Sequence, residues 1–377
     1  MRFIVNKNSK NNKKIMHTIN SIDLGGAENI FFNLMKESNK KNLIIISLTS
    51  RGFYGEYLKK NGFKVFELNL RKNIYSLFGF FRLINLIIKY KPRIVHTWMY
   101  HSNLIGGLAA KLIGIKKIYW SIHHDYEYSN LLMMIEMKIL VFLSYFVPDK
   151  LIYCSKLSKT NHNKNGYKKK DAIVIENGVS TNIFKPNPQL RKKIRNELKI
   201  YSNCLLIGNI SRYNPLKDHD TLLKSLIKLK NYNVKFKCVL VGRGLSNKNI
   251  KLVKKIAKYK LKNEVILFGK CLKVYNLLNS FDLNILSSKS ESFPLTLIEA
   301  MSCGIPCIST NVGDSKKIIG DTGWIVETEN PEELAKVIYK IYRNKNLLKK
   351  NSKLARKRVL RLFTLKKMHI KYKSLYD

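Results

Sequence analysis

Short β-branched runs alternate with longer helical patterns along the whole of this chain, and few folds accommodate that rhythm. Strands are expected near 14–19, 43–48, 64–69, 93–97, 117–122 and 150–154, with helices near 27–39, 78–90, 102–113 and 130–146. The pattern then repeats. Its second set of strands lies near 204–210, 236–241, 264–268, 282–286, 306–309 and 323–326, with helices near 217–230, 247–260, 272–280, 295–303, 331–344 and 347–361. Parallel sheets with crossover helices, an α/β architecture, follow from this order.

The rhythm breaks once. Glu176-Asn177-Gly178-Val179 is turn chemistry, and Lys185-Pro186-Asn187-Pro188 can continue neither a strand nor a helix. The basic, polar stretch Gln189–Leu198 reads as a short surface helix. A boundary near residue 178 makes two α/β units of about 180 residues, which suits a 377-residue chain better than one ordinary core. Hydrophobic residues are 45% of the sequence, enough to fill both interiors and to exclude wholesale disorder.

Seventy Lys and Arg against 25 Asp and Glu leave a net charge of +45, which points to an anionic partner. Nucleic acid is one candidate, but no binding module is recognisable and the charge is spread rather than gathered in one arm, so none is expected. An anionic membrane surface is the other. Abundant Lys, Asn and Ile are also the residue set of an AT-rich genome, so charge alone does not decide. Cys154, Cys204, Cys238, Cys271, Cys303 and Cys307 show no zinc spacing and read as reduced, mostly buried thiols of a cytoplasmic protein. The stretch from Met1 to Lys14 is polar and basic, without the apolar core of a secretory signal. No apolar run reaches the roughly 18 residues that a spanning helix needs. Leu131–Val147 is interrupted by Glu136 and Lys138, and Ile74–Ile88 by Arg82 and Asn85. Both segments suit an interface better than a span, though either also fits a buried crossover helix. The expected location is cytoplasmic, with peripheral attachment to the inner face of the cytoplasmic membrane.

Residues 283–306 hold the most informative chemistry. An apolar strand, Leu283–Leu286, ends in the polar loop Ser288-Lys289-Ser290-Glu291-Ser292-Phe293. Pro294 opens a helix that Gly304 and Pro306 end. Ligands of α/β folds bind at such strand ends, and free N–H groups across Phe293, Leu295 and Thr296 would attract a diphosphate. Glu291 before the helix and Glu299 within it could hydrogen-bond hydroxyls on either side of that group. An exposed loop Glu and a helix-dipole Glu remain the alternative.

With seven residues between Glu291 and Glu299, the segment resembles the EX7E signature of the retaining glycosyltransferases of family 4. Other segments agree in order. Gly25-Gly26-Ala27-Glu28 resembles that family's N-terminal glycine loop, and Glu176-Asn177-Gly178-Val179 followed by Phe184-Lys185-Pro186 its interdomain signature. Gly208-Asn209-Ile210-Ser211-Arg212 with Lys217-Asp218 resembles its diphosphate clamp. Val241-Gly242-Arg243-Gly244 and Phe268-Gly269 fall at familiar positions, and the match covers roughly residues 14–377.

The resemblance implies a GT-B fold, two Rossmann-like doubly wound domains facing a cleft. An acceptor-side domain would span 1–177 and a nucleotide-sugar domain 178–361, with a C-terminal helix of about 362–377 crossing back. The implied reaction is transfer of a hexose-type residue from a UDP-sugar, with retention, to a glycan or lipid-linked glycan of cell-surface polysaccharide or glycolipid synthesis. Glu291, His123, Arg212 and Lys217 would be catalytic. Gly25, Gly26, Ser292, Phe293, Pro294, Leu295 and Glu299 would hold the donor with them. His101, Asn103 and His124 would lie on the acceptor side, in clusters that follow the strands ending near His96 and Ser121. Asp218-His219-Asp220 reads as D-x-D, but at a helix start it is expected to cap, so no catalytic metal and no cofactor are expected. An epimerase or a glycogen-type synthase on the same scaffold is the alternative.

Overall fold

The computed structural model describes residues 14–70, 75–125 and 131–377. The N-terminal stretch read as polar and signal-free lies outside these, apart from Lys14, and so does the first residue of the 74–88 segment. The chain forms two compact units, one of residues up to Glu176 with His369–Asp377 and one of Asn177–Met368.

The first unit runs β1 (Ile15–Ile19), α1 (Gly26–Lys36), β2 (Leu43–Ser47), α2 (Gly52–Lys60), β3 (Lys64–Glu67), α3 (Tyr75–Tyr90) and β4 (Ile94–Trp98). It continues through α4 (Tyr100–Leu112), β5 (Lys117–Ile122), α5 (Leu131–Leu143), β6 (Lys150–Tyr153), α6 (Lys156–Lys164) and β7 (Ala172–Val174). Its sheet is parallel in the order β3-β2-β1-β4-β5-β6-β7.

The second unit holds α7 (Pro188–Glu197), β8 (Leu205–Ile210), α8 (His219–Asn231), β9 (Phe236–Val241), α9 (Ile250–Lys258), β10 (Val265–Gly269) and α10 (Val274–Ser280). Then come β11 (Leu283–Leu286), α11 (Leu295–Ser302), β12 (Cys307–Thr310), α12 (Ser315–Ile319), β13 (Trp324–Val326), α13 (Pro331–Arg343) and α14 (Lys345–Leu362). Its order, β10-β9-β8-β11-β12-β13, is again parallel. Both sheets are therefore the doubly wound kind that the sequence implied, reversing direction between β1 and β4 and between β8 and β11.

The strands are apolar because helices cover both faces, so their side chains have no wet side. In the first core Ile44, Ile46, Val95, Ile118 and Trp120 meet Leu83, Ile87 and Ala109. In the second Ile207, Cys238, Leu240 and Ile285 meet Leu222, Leu226 and Ile338. The last helix, α15 (Leu365–Tyr376), ends in the first unit. There Tyr372 packs 5.5 Å from Trp98, and the Tyr376 hydroxyl bonds His96 Nδ1 at 2.7 Å. All six cysteines are free thiols. Among the described residues no helix is long and apolar enough to cross a membrane.

Candidate active site

In the second unit the candidate residues gather where the sheet reverses. The loop after β8 carries Arg212 and Lys217, and the loop after the neighbouring β11 carries Glu291. Two bonds clasp the loops together. Lys289 N–H donates to the Leu216 carbonyl at 2.8 Å, and the Ser287 hydroxyl donates to the Lys217 carbonyl at 3.1 Å. Lys217 Nζ thereby reaches Glu291 Oε1 at 2.5 Å, and the Ser288 hydroxyl donates to the same oxygen at 2.8 Å. Arg212 is exposed, and no described residue pairs with its guanidinium.

Below Arg212 lies a fixed relay. The Ser211 hydroxyl donates to Asn209 Oδ1 at 3.1 Å, so it accepts from His219 Nε2 at 2.9 Å. Burial, with Lys217 nearby and against the pull of Asp218, lowers the His219 pKa to about 4, so the ring is neutral. Asp218, at φ 44°, caps α8 by accepting from Thr221 N–H at 3.1 Å. Asp220 is held by Lys255 at 2.9 Å, Lys224 at 3.0 Å and Tyr259 at 3.0 Å. Burial opposes its charge, but those bonds outweigh it and bring the pKa down to about 2. Both carboxylates of the D-x-D triplet are thus engaged.

The helix α11 begins one residue later than the proline suggested, with Pro294 in the capping position and no side chain capping the turn. Ser292, Phe293 and Pro294 are buried and Leu295 is half-buried. Glu299 lies within this helix, half-buried, and no described side chain bonds its carboxyl. Burial alone pushes its pKa up to about 7.

In the first unit Gly25 precedes α1 with extended backbone, and Gly26 starts the helix. The Glu28 carboxylate folds over Gly25, 2.1 Å from where a Cβ would sit. His123 stacks on Trp98 at 5.1 Å and 17°. Its Nδ1 is buried without a partner among the described residues, and burial, then His124, push its pKa to about 3. Such a ring is a neutral hydrogen-bonding group. His101, bonded to Glu136, and the exposed His124 line a cavity of about 470 Å³ with Asn20, Met99 and Tyr100. Asn103 does not join them. It is buried, its Oδ1 accepting from the Thr97 hydroxyl at 2.6 Å and its amide reaching the Ser121 carbonyl at 3.4 Å. Helical phase turns it inward, which corrects its expected place on the acceptor side.

Two family profiles match the chain. That of "Glycosyltransferase Family 4" covers residues 24–183, and that of "Glycosyl transferases group 1" covers 191–358. This chain belongs to glycosyltransferase family 4. The transferase is 30% identical to the N-acetyl-alpha-D-glucosaminyl L-malate synthase of Bacillus anthracis, over 55% of this chain and 54% of that one. It is 25% identical to the Escherichia coli UDP-Gal:alpha-D-GlcNAc-diphosphoundecaprenol alpha-1,3-galactosyltransferase, over 82% and 81%. The crystal structure of Anabaena HepE with UDP-glucose superposes with a TM-score of 0.85 at 20% identity, covering 96% of this chain and 98% of that one.

Sequence reasoning passed over two residues that shape the transferase's loops. Ser288 steadies Glu291, and Gly313 presses on the backbone beside it. At φ +53°, a Cβ on Gly313 would lie 2.4 Å from the Glu291 carbonyl and 2.5 Å from that of Ser292. The signal was a glycine just after a strand end. Gly313→Ala is expected to cost about 1–3 kcal/mol of stability in thermal unfolding and to weaken nucleotide binding. Unchanged melting and binding would show that the loop has room to move.

Proposed function

We propose that this glycosyltransferase moves a hexose-type sugar from a UDP-sugar to a glycan or lipid-linked glycan at an anionic membrane surface, with retention. The carrying observation is the chemistry gathered at the reversal of the second sheet: a Lys217–Glu291 pair, with Arg212 and Glu299 that have no side-chain partner among the described residues. Cations suit a diphosphate leaving group, whose charge grows as the glycosidic bond breaks. Arg212 and Lys217 take that role. Glu299 accepts from hydroxyls on the nucleoside side and Glu291 from those of the sugar. Ser292, Phe293, Pro294 and Leu295 present the start of α11 to the phosphates. Gly25 and Gly26 let backbone approach the donor, and neutral His123 bonds the sugar near the reacting carbon. The leaving phosphate itself helps to deprotonate the acceptor on the face it departs from.

Similar proteins agree with this reading, since the Escherichia coli relative is a UDP-Gal:alpha-D-GlcNAc-diphosphoundecaprenol galactosyltransferase and the Anabaena HepE crystal holds UDP-glucose. The acceptor domain is the first unit and the donor domain the second. A thermal-shift screen of nucleotide sugars tests the donor. A UDP-sugar at a hundredfold excess over Kd is expected to add about 2.7 kcal/mol of stability. EDTA is expected to leave shift and turnover unchanged, because Asp218 and Asp220 already have partners. Strict need for a divalent ion, or stabilisation by no nucleotide sugar, would overturn the assignment.

A further inference from the structure

The helix α5 is a crossover helix with an uncovered apolar face. Its inner side is anchored by Met137 and Leu140, both buried. On the opposite side Leu132, Ile135, Ile139, Phe142 and Phe146 follow one another at helical spacing, with Leu132 73%, Phe142 64% and Phe146 60% exposed. Scattered exposed apolar residues need no explanation, but an aligned stripe of this length does.

Beside its C-terminal end lies a basic loop. The Tyr145 hydroxyl donates to the Gly166 carbonyl at 3.0 Å, and Lys168 N–H donates to the Ser144 hydroxyl at 3.0 Å. That contact holds the stretch carrying Lys164, Lys169 and Lys170, all exposed, at the end of α5 from which Phe142 and Phe146 project. Lys138 stands at the edge of the stripe itself. Apolar side chains bordered by cations match an anionic bilayer, whose acyl region takes the rings while its headgroups take the lysines.

The opposite end of α5 meets the candidate acceptor cavity. Leu132, Met133 and Glu136 wall the same cavity that His101 and His124 line. At its floor Met99 is held at φ 74°, ψ 159°, a conformation that costs a residue with a side chain about 1–3 kcal/mol and persists where function requires it.

We infer that α5 and the 164–170 loop form the face by which the enzyme lies in an anionic membrane, and that a lipid-linked acceptor enters the cavity along α5. The second part rests on the acceptor reading above. The first part stands apart from it. The stripe reaches the acyl boundary, the lysines hold the headgroups, and the acceptor's polar head arrives at His101 and His124 without leaving the bilayer surface.

Vesicle flotation of the full chain, without donor or acceptor, reads the surface alone. Vesicles with about one-third phosphatidylglycerol in phosphatidylcholine are expected to carry the protein, and pure phosphatidylcholine far less. Phe142→Ser with Phe146→Ser, both exposed and therefore compatible with folding, is expected to weaken binding at least tenfold. Replacing Lys164, Lys169 and Lys170 by Gln is expected to weaken it on the order of 100-fold and to flatten its salt dependence. Equal flotation on neutral and anionic vesicles, or wild-type binding by both variants, would overturn the inference. So would a dimer in light scattering that the Phe variant dissolves, since the face would then belong to a second copy. Transfer to a short-chain, water-soluble acceptor is expected to be the same in wild type and Phe variant. Loss of transfer with intact flotation would fault the acceptor reading and leave the membrane face standing.

Discussion

Replacing Glu299 by Gln is expected to stabilise the unliganded protein at pH 8 while lowering transfer on the order of 100-fold. An ordinary Glu in the unfolded chain titrates near 4.3, whereas burial holds folded Glu299 at about 7. The unfolded chain therefore loses its proton first. Stability falls as the pH rises from about 4 to 7, and above 7 the cost is complete, roughly 3 kcal/mol. Gln keeps the shape and removes the charge, so its gain is expected at pH 8 and not near pH 4. Donor binding runs the other way. Hydroxyls that donate to the carboxylate favour its ionised form, so binding lowers the pKa and releases a proton. Affinity for the donor is then expected to rise by up to tenfold per unit as pH approaches 7, and to level off beyond it. The Gln variant loses that slope along with its charge-assisted bonds. Thermal unfolding and nucleotide titration at pH 5 and pH 8 check all three statements. A variant with wild-type turnover would remove Glu299 from the site.

The fold was legible because parallel strands buried on both faces are continuous apolar runs. Leu43–Ser47 and Phe236–Val241 have hardly a polar residue between them. Elements that escaped notice lack that signal. The helix α6 carries no apolar stripe; its buried positions are Ser158 and His162, and it is started by the Ser155 hydroxyl accepting from Ser158 N–H at 3.0 Å. The helix α2 begins at Gly52 and contains Gly55, residues that weaken a helical reading, and β7 is three residues long. The apolar character of α5 was visible, but not which side of it would be covered.

The site divides in the same way. Spacing alone put Glu291 and Glu299 at one helix start, since both belong to one local strand-loop-helix. The Lys217–Glu291 contact spans 74 residues and exists only because β8 and β11 are neighbours in the sheet. Asn103 shows the opposite error. A polar residue just after a cluster of strand-end groups suggested an exposed position, yet the first turn of α4 directs it between Thr97 and the Ser121 carbonyl. Two residues, about 200° of helical phase, separate it from the exposed His101, and residue type carries no information about that phase.

The Lys217–Glu291 pair also predicts how the clamp fails. Arg212→Ala and Lys217→Ala are each expected to lower kcat/KM by roughly 10- to 1000-fold, because each withdraws a cation from the growing charge of the leaving group. The two losses differ in kind. Arg212 has no described partner, so its removal subtracts one favourable contact. Lys217 neutralises a carboxylate that is only 13% exposed, so its removal leaves Glu291 uncompensated beside the phosphates. Lys217→Ala is therefore expected to weaken nucleotide diphosphate binding more than Arg212→Ala does. Adding Glu291→Gln to Lys217→Ala should recover about tenfold of that affinity, while the same change on Arg212→Ala should recover little. Residues in contact couple in this way, whereas groups that share no partner add. Calorimetric titration of UDP into these four variants, Glu291→Gln alone and the wild type measures it. Strict additivity in the Lys217 background would mean that the contact is not maintained in the enzyme that binds nucleotide, and Lys217 would then act on the diphosphate alone.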